Sequence, residues 1–241
     1  MNGRIATLAR RFFSAPFGRH RWQVRRADTA ATWKATRQFF RTVFKALDYN
    51  GIDGDYVEFG SHGGMTFSLA YEQIRQRKIG RHMWAFDSFA GLPEGKAPAD
   101  DHPKWKKGRL ATDVESFHRL CRRRCIPREA YTTVEGFYEQ TLGAMGADKG
   151  PVNIALAYID CDMYSSTKTV LEFLAPRLKH GMILAFDDYF CWSSEHISGE
   201  RRAVLEASDF GSKWNLLRYR DYGWASTSFI VERRDRLPTS P

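Results

Sequence analysis

The sequence predicts an α/β fold, Rossmann-like, with a mostly parallel seven-stranded sheet and an antiparallel hairpin at one edge. Three observations predict it. Short apolar strands alternate with helical patterns along most of the chain, the signature of a parallel sheet covered on both faces. The first strand runs straight into a glycine-rich turn. The last two strands are joined through Asp221-Tyr222-Gly223 with no helix between them. A chain of 241 residues suits one such domain and is short for two independent ones.

Residues 28–48 read as a helix, because Trp33, Phe40, Val43, Phe44 and Leu47 recur at helical spacing. Asn50-Gly51 and Asp53-Gly54 mark a turn. Tyr56–Phe59 is the first strand, followed by Gly60-Ser61-His62-Gly63-Gly64 and a helix to about Arg77. Met83–Asp87 is the second strand. Residues 88–111 are irregular and rich in Gly, Pro, Lys and Asp, a length typical of a lid or binding loop. A helix over 113–125 leads to a strand near Tyr131–Val134. Val152–Asp160 and Met182–Asp187 are apolar strands flanking a helix from about Ser165 to Leu178. A helix near 200–208 and strands Trp214–Tyr219 and Trp224–Val231 complete the order.

The formal charge is +9, but its distribution matters more than its size. Residues 1–45 hold eleven Arg or Lys and a single acid, Asp28, while the other 26 basic and 27 acidic residues nearly cancel. We therefore divide the chain into a basic N-terminal helical arm, 1–50, and the main α/β domain, 51–241. A nearly neutral body argues against nucleic acid as a partner. Within the arm, Ile5, Leu8, Phe12 and Phe13 approximate an apolar face among arginines, which suits peripheral membrane contact. An arm that packs on the domain or frays in solvent is the plainer alternative. No apolar run is long enough to span a bilayer. Cys121, Cys125, Cys161 and Cys191 include no close CxxC pair, so they read as reduced thiols of a cytoplasmic protein.

In open α/β sheets ligands bind beyond the carboxyl ends of the strands, so acids that end strands are the candidates. Glu58 precedes the glycine turn, where Gly60 lets a ligand approach the backbone. The spacing is not GxGxxG, and an acid there suits a ligand with a cationic amino group better than a diphosphate. Asp87, ending the next strand, is placed for a ribose diol. Without a ligand, the same residues read as a tight strand–helix turn with a capping acid. Asp160-Cys161-Asp162 and Asp187-Asp188 end two successive core strands. If these strands are neighbours, four carboxylates converge, and their repulsion favours a hard divalent cation such as Mg²⁺. Helix capping by Asp162, Ser165 or Asp188 is the competing reading. It accounts for one Asp at each site but not for two pairs.

At these residues the sequence resembles the macrocin O-methyltransferase family. The matching segments are Val57–Gly60, Phe86-Asp87-Ser88-Phe89-Ala90-Gly91-Leu92-Pro93, Glu135-Gly136-Phe137, Ile159–Thr167 and Asp187-Asp188-Tyr189. The resemblance implies a class I methyltransferase fold, S-adenosylmethionine as methyl donor, Mg²⁺, and the hydroxyl of a small molecule, most often a sugar, as acceptor. It implies that Glu58, Gly60, Ser61 and Thr66 hold the methionine part of the donor. Asp87 and Ser88 would then meet the ribose, and Glu135, Gly136 and Phe137 would lie near the adenine. Asp160, Asp187 and Asp188 become metal ligands, Asp162 the general base, and self-association into a homo-oligomer is expected. Two rivals remain open at this point. One is a metal-dependent glycosyltransferase using Asp160-Cys161-Asp162 for a nucleotide sugar. The other is a basic-armed binding module with no catalytic activity.

Overall fold

The computed structural model describes residues 16–146, 148–207, 210 and 212–236, with the side chains of 16–23, 25 and 26 outside that description. The proposed apolar face of Ile5, Leu8, Phe12 and Phe13 lies outside the described residues. The elements in order are α1 (Pro16–Tyr49), β1 (Asp55–Phe59), α2 (Met65–Arg77), β2 (Met83–Asp87), α3 (Val114–Arg123), β3 (Tyr131–Glu135), α4 (Tyr138–Thr141), β4 (Ile154–Ile159), α5 (Tyr164–Leu174), β5 (Ile183–Phe186), α6 (Gly199–Glu206), β6 (Trp214–Tyr222) and β7 (Ser226–Arg233). The seven strands form one sheet in the order β3-β2-β1-β4-β5-β7-β6. β1 to β5 pair in parallel, and β7 runs antiparallel to both β5 and β6. The predicted hairpin is therefore present, with its turn at 223–225, just beyond the expected Asp221-Tyr222-Gly223.

Alternate residues of the central strands feed two separate apolar layers, which is why these strands read as continuous apolar runs. Tyr56, Met83, Ala85, Leu156, Tyr158, Ile183 and Ala185 face the layer closed by α1, α2 and α3. Val57, Phe59, Phe86, Ala157, Ile159, Leu184 and Phe186 face the layer closed chiefly by α5. α1 begins earlier than the sequence suggested. Phe39, Phe40, Val43, Phe44 and Leu47 are buried in the first layer, whereas Trp33 is 39% exposed. Phe39, which is not part of the predicted stripe, stacks on Tyr222 with ring centroids 3.8 Å apart. Among the described residues no helix is long and apolar enough to cross a membrane.

The order of strands fixes where the site can be. β1 is flanked by β2 and β4, which continue in opposite directions across the sheet, so a crevice opens at their carboxyl ends. The loops after β1, β2, β4 and β5 all empty into that crevice.

Candidate active site

One cavity of about 340 Å³ occupies the crevice, lined among others by Gly60, Asp87, Ser88, Gly136, Phe137, Asp160, Asp162, Asp187 and Asp188. That volume lies within the range of small-molecule sites. It joins the glycine turn and the two acidic strand tips, which are separated by about a hundred residues of sequence.

At one end, the turn after β1 depends on Gly60. Its φ is +88°, and a Cβ there would stand 2.0 Å from the main-chain oxygen of Asp160, so no other residue fits without moving β4. Asp87 braces this turn from the tip of β2. Its Oδ2 accepts the main-chain N–H groups of Ser61 (2.7 Å) and His62 (2.9 Å), and its Oδ1 accepts that of Phe89 (2.7 Å). A carboxylate offers about four acceptor positions, so roughly one remains for a ligand. Ser88 Oγ donates to the carbonyl of Gly91 and lines the cavity.

Glu58 is placed differently from Gly60 and Asp87. Strand alternation turns it into the aromatic layer, where it is fully buried. The hydroxyls of Tyr56 and Thr66 donate to its two oxygens, and it does not line the cavity. Burial pushes its carboxyl up to about 8, against the pull of the hydroxyl donors. Thr66 and Ser61 likewise sit behind the cavity wall, and the buried Ser61 hydroxyl lies beside Glu58 and favours its charged form. Glu135 is exposed at the tip of β3, next to Gly136 and Phe137 in the lining.

At the other end, ligand atoms of Asp160, Asp187 and Asp188 all lie within 4.8 Å of one another. β4 and β5 pair directly, Ile159 opposite Phe186, so the residues that follow emerge side by side. Burial first, and then the charges of Asp187 and Asp188, push Asp160 well above the carboxylate range. Burial and Asp188 push Asp187 to about 6, although the Tyr158 hydroxyl donates to it and favours its charged form. Asp162 is 8% exposed and is raised by burial and by Asp188, with the Trp105 indole acting in the opposite direction. Desolvation and like charge act together on all three groups.

Capping does not account for these acids. Asp162 adopts the left-handed conformation, φ 58°, and Met163 rather than Asp162 or Ser165 occupies the N-cap of α5. The N–H of Ser165 is instead accepted by Asp100 Oδ1 at 2.8 Å. Asp100 comes from the long segment after β2, and its Oδ2 also accepts from Lys96 and Ala97. That segment is thereby fastened over the acids. Trp105, Met163, Cys191, Ala225 and Leu92 pack together as its underside.

Three residues of this arrangement escaped the sequence. Asp100 and Trp105 sit in a stretch with no periodicity to read. Glu200, in the first turn of α6, reads only as an acid complementing a helix dipole. In the fold it is fully buried and accepts main-chain N–H groups from both Cys161 and Asp188.

Comparison with known proteins agrees with this architecture. A curated Streptomyces olivaceus protein, 8-demethyl-8-(2,3-dimethoxy-alpha-L-rhamnosyl)-tetracenomycin-C 4'-O-methyltransferase, is 31% identical over 148 residues, covering 58% of this chain and 54% of that one. Demethyldecarbamoylnovobiocin O-methyltransferase of Streptomyces niveus is 28% identical over 167 residues, covering 66% and 62%. The chain thus spans little more than half the length of these two relatives. The solved structure of the O-methyltransferase NovP superposes with a TM-score of 0.69 at 23% identity, covering 82% of this chain and 79% of that one. It establishes the class I O-methyltransferase fold. The macrocin-O-methyltransferase (TylF) family model matches residues 25–203, from the middle of α1 into α6 and across both ends of the cavity. The chain belongs to the macrocin O-methyltransferase family.

Proposed function

We propose that this protein moves the methyl group of S-adenosylmethionine to a hydroxyl, most simply a sugar hydroxyl, of a small-molecule or glycan acceptor, with Mg²⁺ at the acidic end of the cavity. One observation carries the reading. The glycine turn and the three clustered carboxylates open into a single cavity, so donor and ion would sit side by side. The names of the two curated relatives, both O-methyltransferases of natural products and one a 4'-O-methyltransferase of a rhamnosyl compound, support the acceptor class.

The residues present fit both groups. Three carboxylates whose like charges oppose one another form a hard oxygen donor set suited to Mg²⁺. Gly60, which admits no Cβ, suits a ligand pressed against the turn. We assign Asp160, Asp187 and Asp188 to the ion. Gly60, Asp87, Ser88, Gly136 and Phe137 hold the donor directly. Glu58, Ser61 and Thr66 support it from beneath the turn, and Glu135 flanks the adenine end.

When bound, the sulfonium donor supplies an already activated methyl and the divalent ion lowers the pKa of the acceptor hydroxyl. The chain's own work is orientation and proton removal. Asp162, beside Asp188 and shielded from solvent, takes the hydroxyl proton on its carboxylate. The segment fastened by Asp100 and Trp105 excludes water from the reacting atoms. A nucleotide-sugar role for Asp160-Cys161-Asp162 leaves Asp187-Asp188 and the Gly60 turn without work. All four cysteines are free, which supports a reducing, cytoplasmic setting.

The test is transfer of labelled methyl from S-adenosylmethionine to a panel of deoxysugar glycosides and nucleotide sugars, with Mg²⁺ and with EDTA. Product formed only with the metal is the expected result. Undiminished turnover in EDTA refutes the metal part, and no binding of S-adenosylhomocysteine refutes the whole.

A further inference from the structure

Glu200 is a fifth acid at the acidic end of the cavity, and it has no place in the chemistry above. It projects from the first turn of α6, just after Gly199. That glycine has φ +61°, and a Cβ there would stand 2.4 Å from the Trp105 ring and 2.7 Å from the carbonyl of Asp162. The helix start is therefore pressed against the loop after β4. The Glu200 side chain is wholly buried. Its Oε1 accepts the N–H of Cys161 at 3.1 Å and its Oε2 the N–H of Asp188 at 3.0 Å. Cys161 lies between Asp160 and Asp162, and Asp188 follows Asp187.

We infer that Glu200 is a positioning residue that clamps the tips of β4 and β5 together, one oxygen on each, and so sets the spacing of the carboxylates that receive the ion. This rests on the metal reading above. Two features favour a clamp over simple packing. Burying a carboxylate among like charges is destabilising, so a side chain that only filled space would be better apolar. Two main-chain donors facing one side chain also require two acceptor oxygens. A carboxylate has them and a carboxamide has one. Groups that orient metal ligands typically carry about 10–100-fold of the metal affinity.

The experiment compares Mn²⁺ binding, followed by electron paramagnetic resonance, with S-adenosylhomocysteine binding, followed by calorimetry, in the wild type, Glu200→Gln and Glu200→Asp. Gln leaves one N–H facing an NH₂ group, and Asp keeps the charge but is too short to span both loops. The clamp predicts about 10–100-fold weaker Mn²⁺ binding in both variants with unchanged S-adenosylhomocysteine affinity. Wild-type Mn²⁺ affinity in Glu200→Gln overturns it. So does an Asp variant that binds like the wild type while Gln does not, because charge alone then explains the effect. Should neither variant fold, amide exchange in the wild-type apoprotein decides: slow exchange at Cys161 and Asp188 supports the clamp, and fast exchange at either overturns it. A wild type that takes up no Mn²⁺, or uptake that survives Asp187→Asn, refutes the metal centre itself and the clamp with it.

Discussion

The two ends of the cavity treat their carboxylates in opposite ways. At the tip of β2, Asp87 is surrounded by three main-chain N–H groups, all of which stabilise its charge. At the tips of β4 and β5, Asp160, Asp162 and Asp187 are surrounded chiefly by other acids and by the protein interior, both of which oppose charge. The first arrangement needs no counter-ion: it shapes a turn and leaves roughly one acceptor position for a ligand. The second gains most from a cation. A carboxylate's neighbours, more than its presence at a strand tip, therefore separate an acid that needs no counter-ion from acids that do.

The largest expected effect comes from breaking the acid-rich end. Asp187→Ala removes a proposed metal ligand, and metal ions contribute several kcal/mol to such reactions. We expect methyl transfer to fall by about 10³-fold, with S-adenosylhomocysteine affinity preserved. Comparable loss of both would merge the two ends into one structural unit and dissolve the contrast.

Asp162→Asn is expected to lower kcat by about 10²–10³-fold, within the range for a general base, while metal and cofactor affinity persist. Loss of Mn²⁺ binding in this variant would reassign Asp162 from proton acceptor to ligand.

Asp87→Asn probes the other end. The amide retains one acceptor oxygen, so at least one charge-assisted bond to the turn is lost, a cost of about 1.5–3 kcal/mol. S-adenosylhomocysteine affinity should drop about tenfold or more by that arithmetic, with Mn²⁺ affinity little changed. An unaltered cofactor affinity would detach Asp87 from the donor site.

The last effect falls on stability and leaves methyl transfer aside; it concerns Glu58, an acid with hydroxyl donors but deep burial. The folded protein holds its proton up to about pH 8, whereas the ordinary value is 4.5, so unfolding releases a proton between those values. The stability this group contributes is full below about 4.5 and falls as pH rises toward 8, by at most ~1.4 kcal/mol per pH unit. Glu58→Gln should flatten that part of the wild-type profile in urea unfolding across the same interval. An unchanged slope would show that Glu58 is ionised in the folded protein.

How much of this was legible in the sequence follows from where each signal resides. The strands were legible because Val57-Glu58-Phe59 or Ile154–Ile159 carry their apolar character within a few residues, and the acids that end them mark the crevice. That Asp160 and Asp187 meet required only that β4 and β5 be neighbours. The burial of Glu58 was implicit in a strand covered on both faces, yet a strand-end acid invites a ligand-facing reading. Asp100 capping α5, Trp105 beneath its segment and Glu200 bridging two loops were not legible, because each depends on a contact between parts of the chain far apart in sequence. The start of α1 was missed because the polar turns before Asp28 hold no apolar stripe.

Crystals grown with Mn²⁺ and S-adenosylhomocysteine, measured at the manganese absorption edge, test the central claim most directly. The account predicts a single anomalous peak among Asp160, Asp187 and Asp188, with the nucleoside in the same cavity beside Gly60 and Asp87. An ion elsewhere, or a nucleoside outside that cavity, would contradict it.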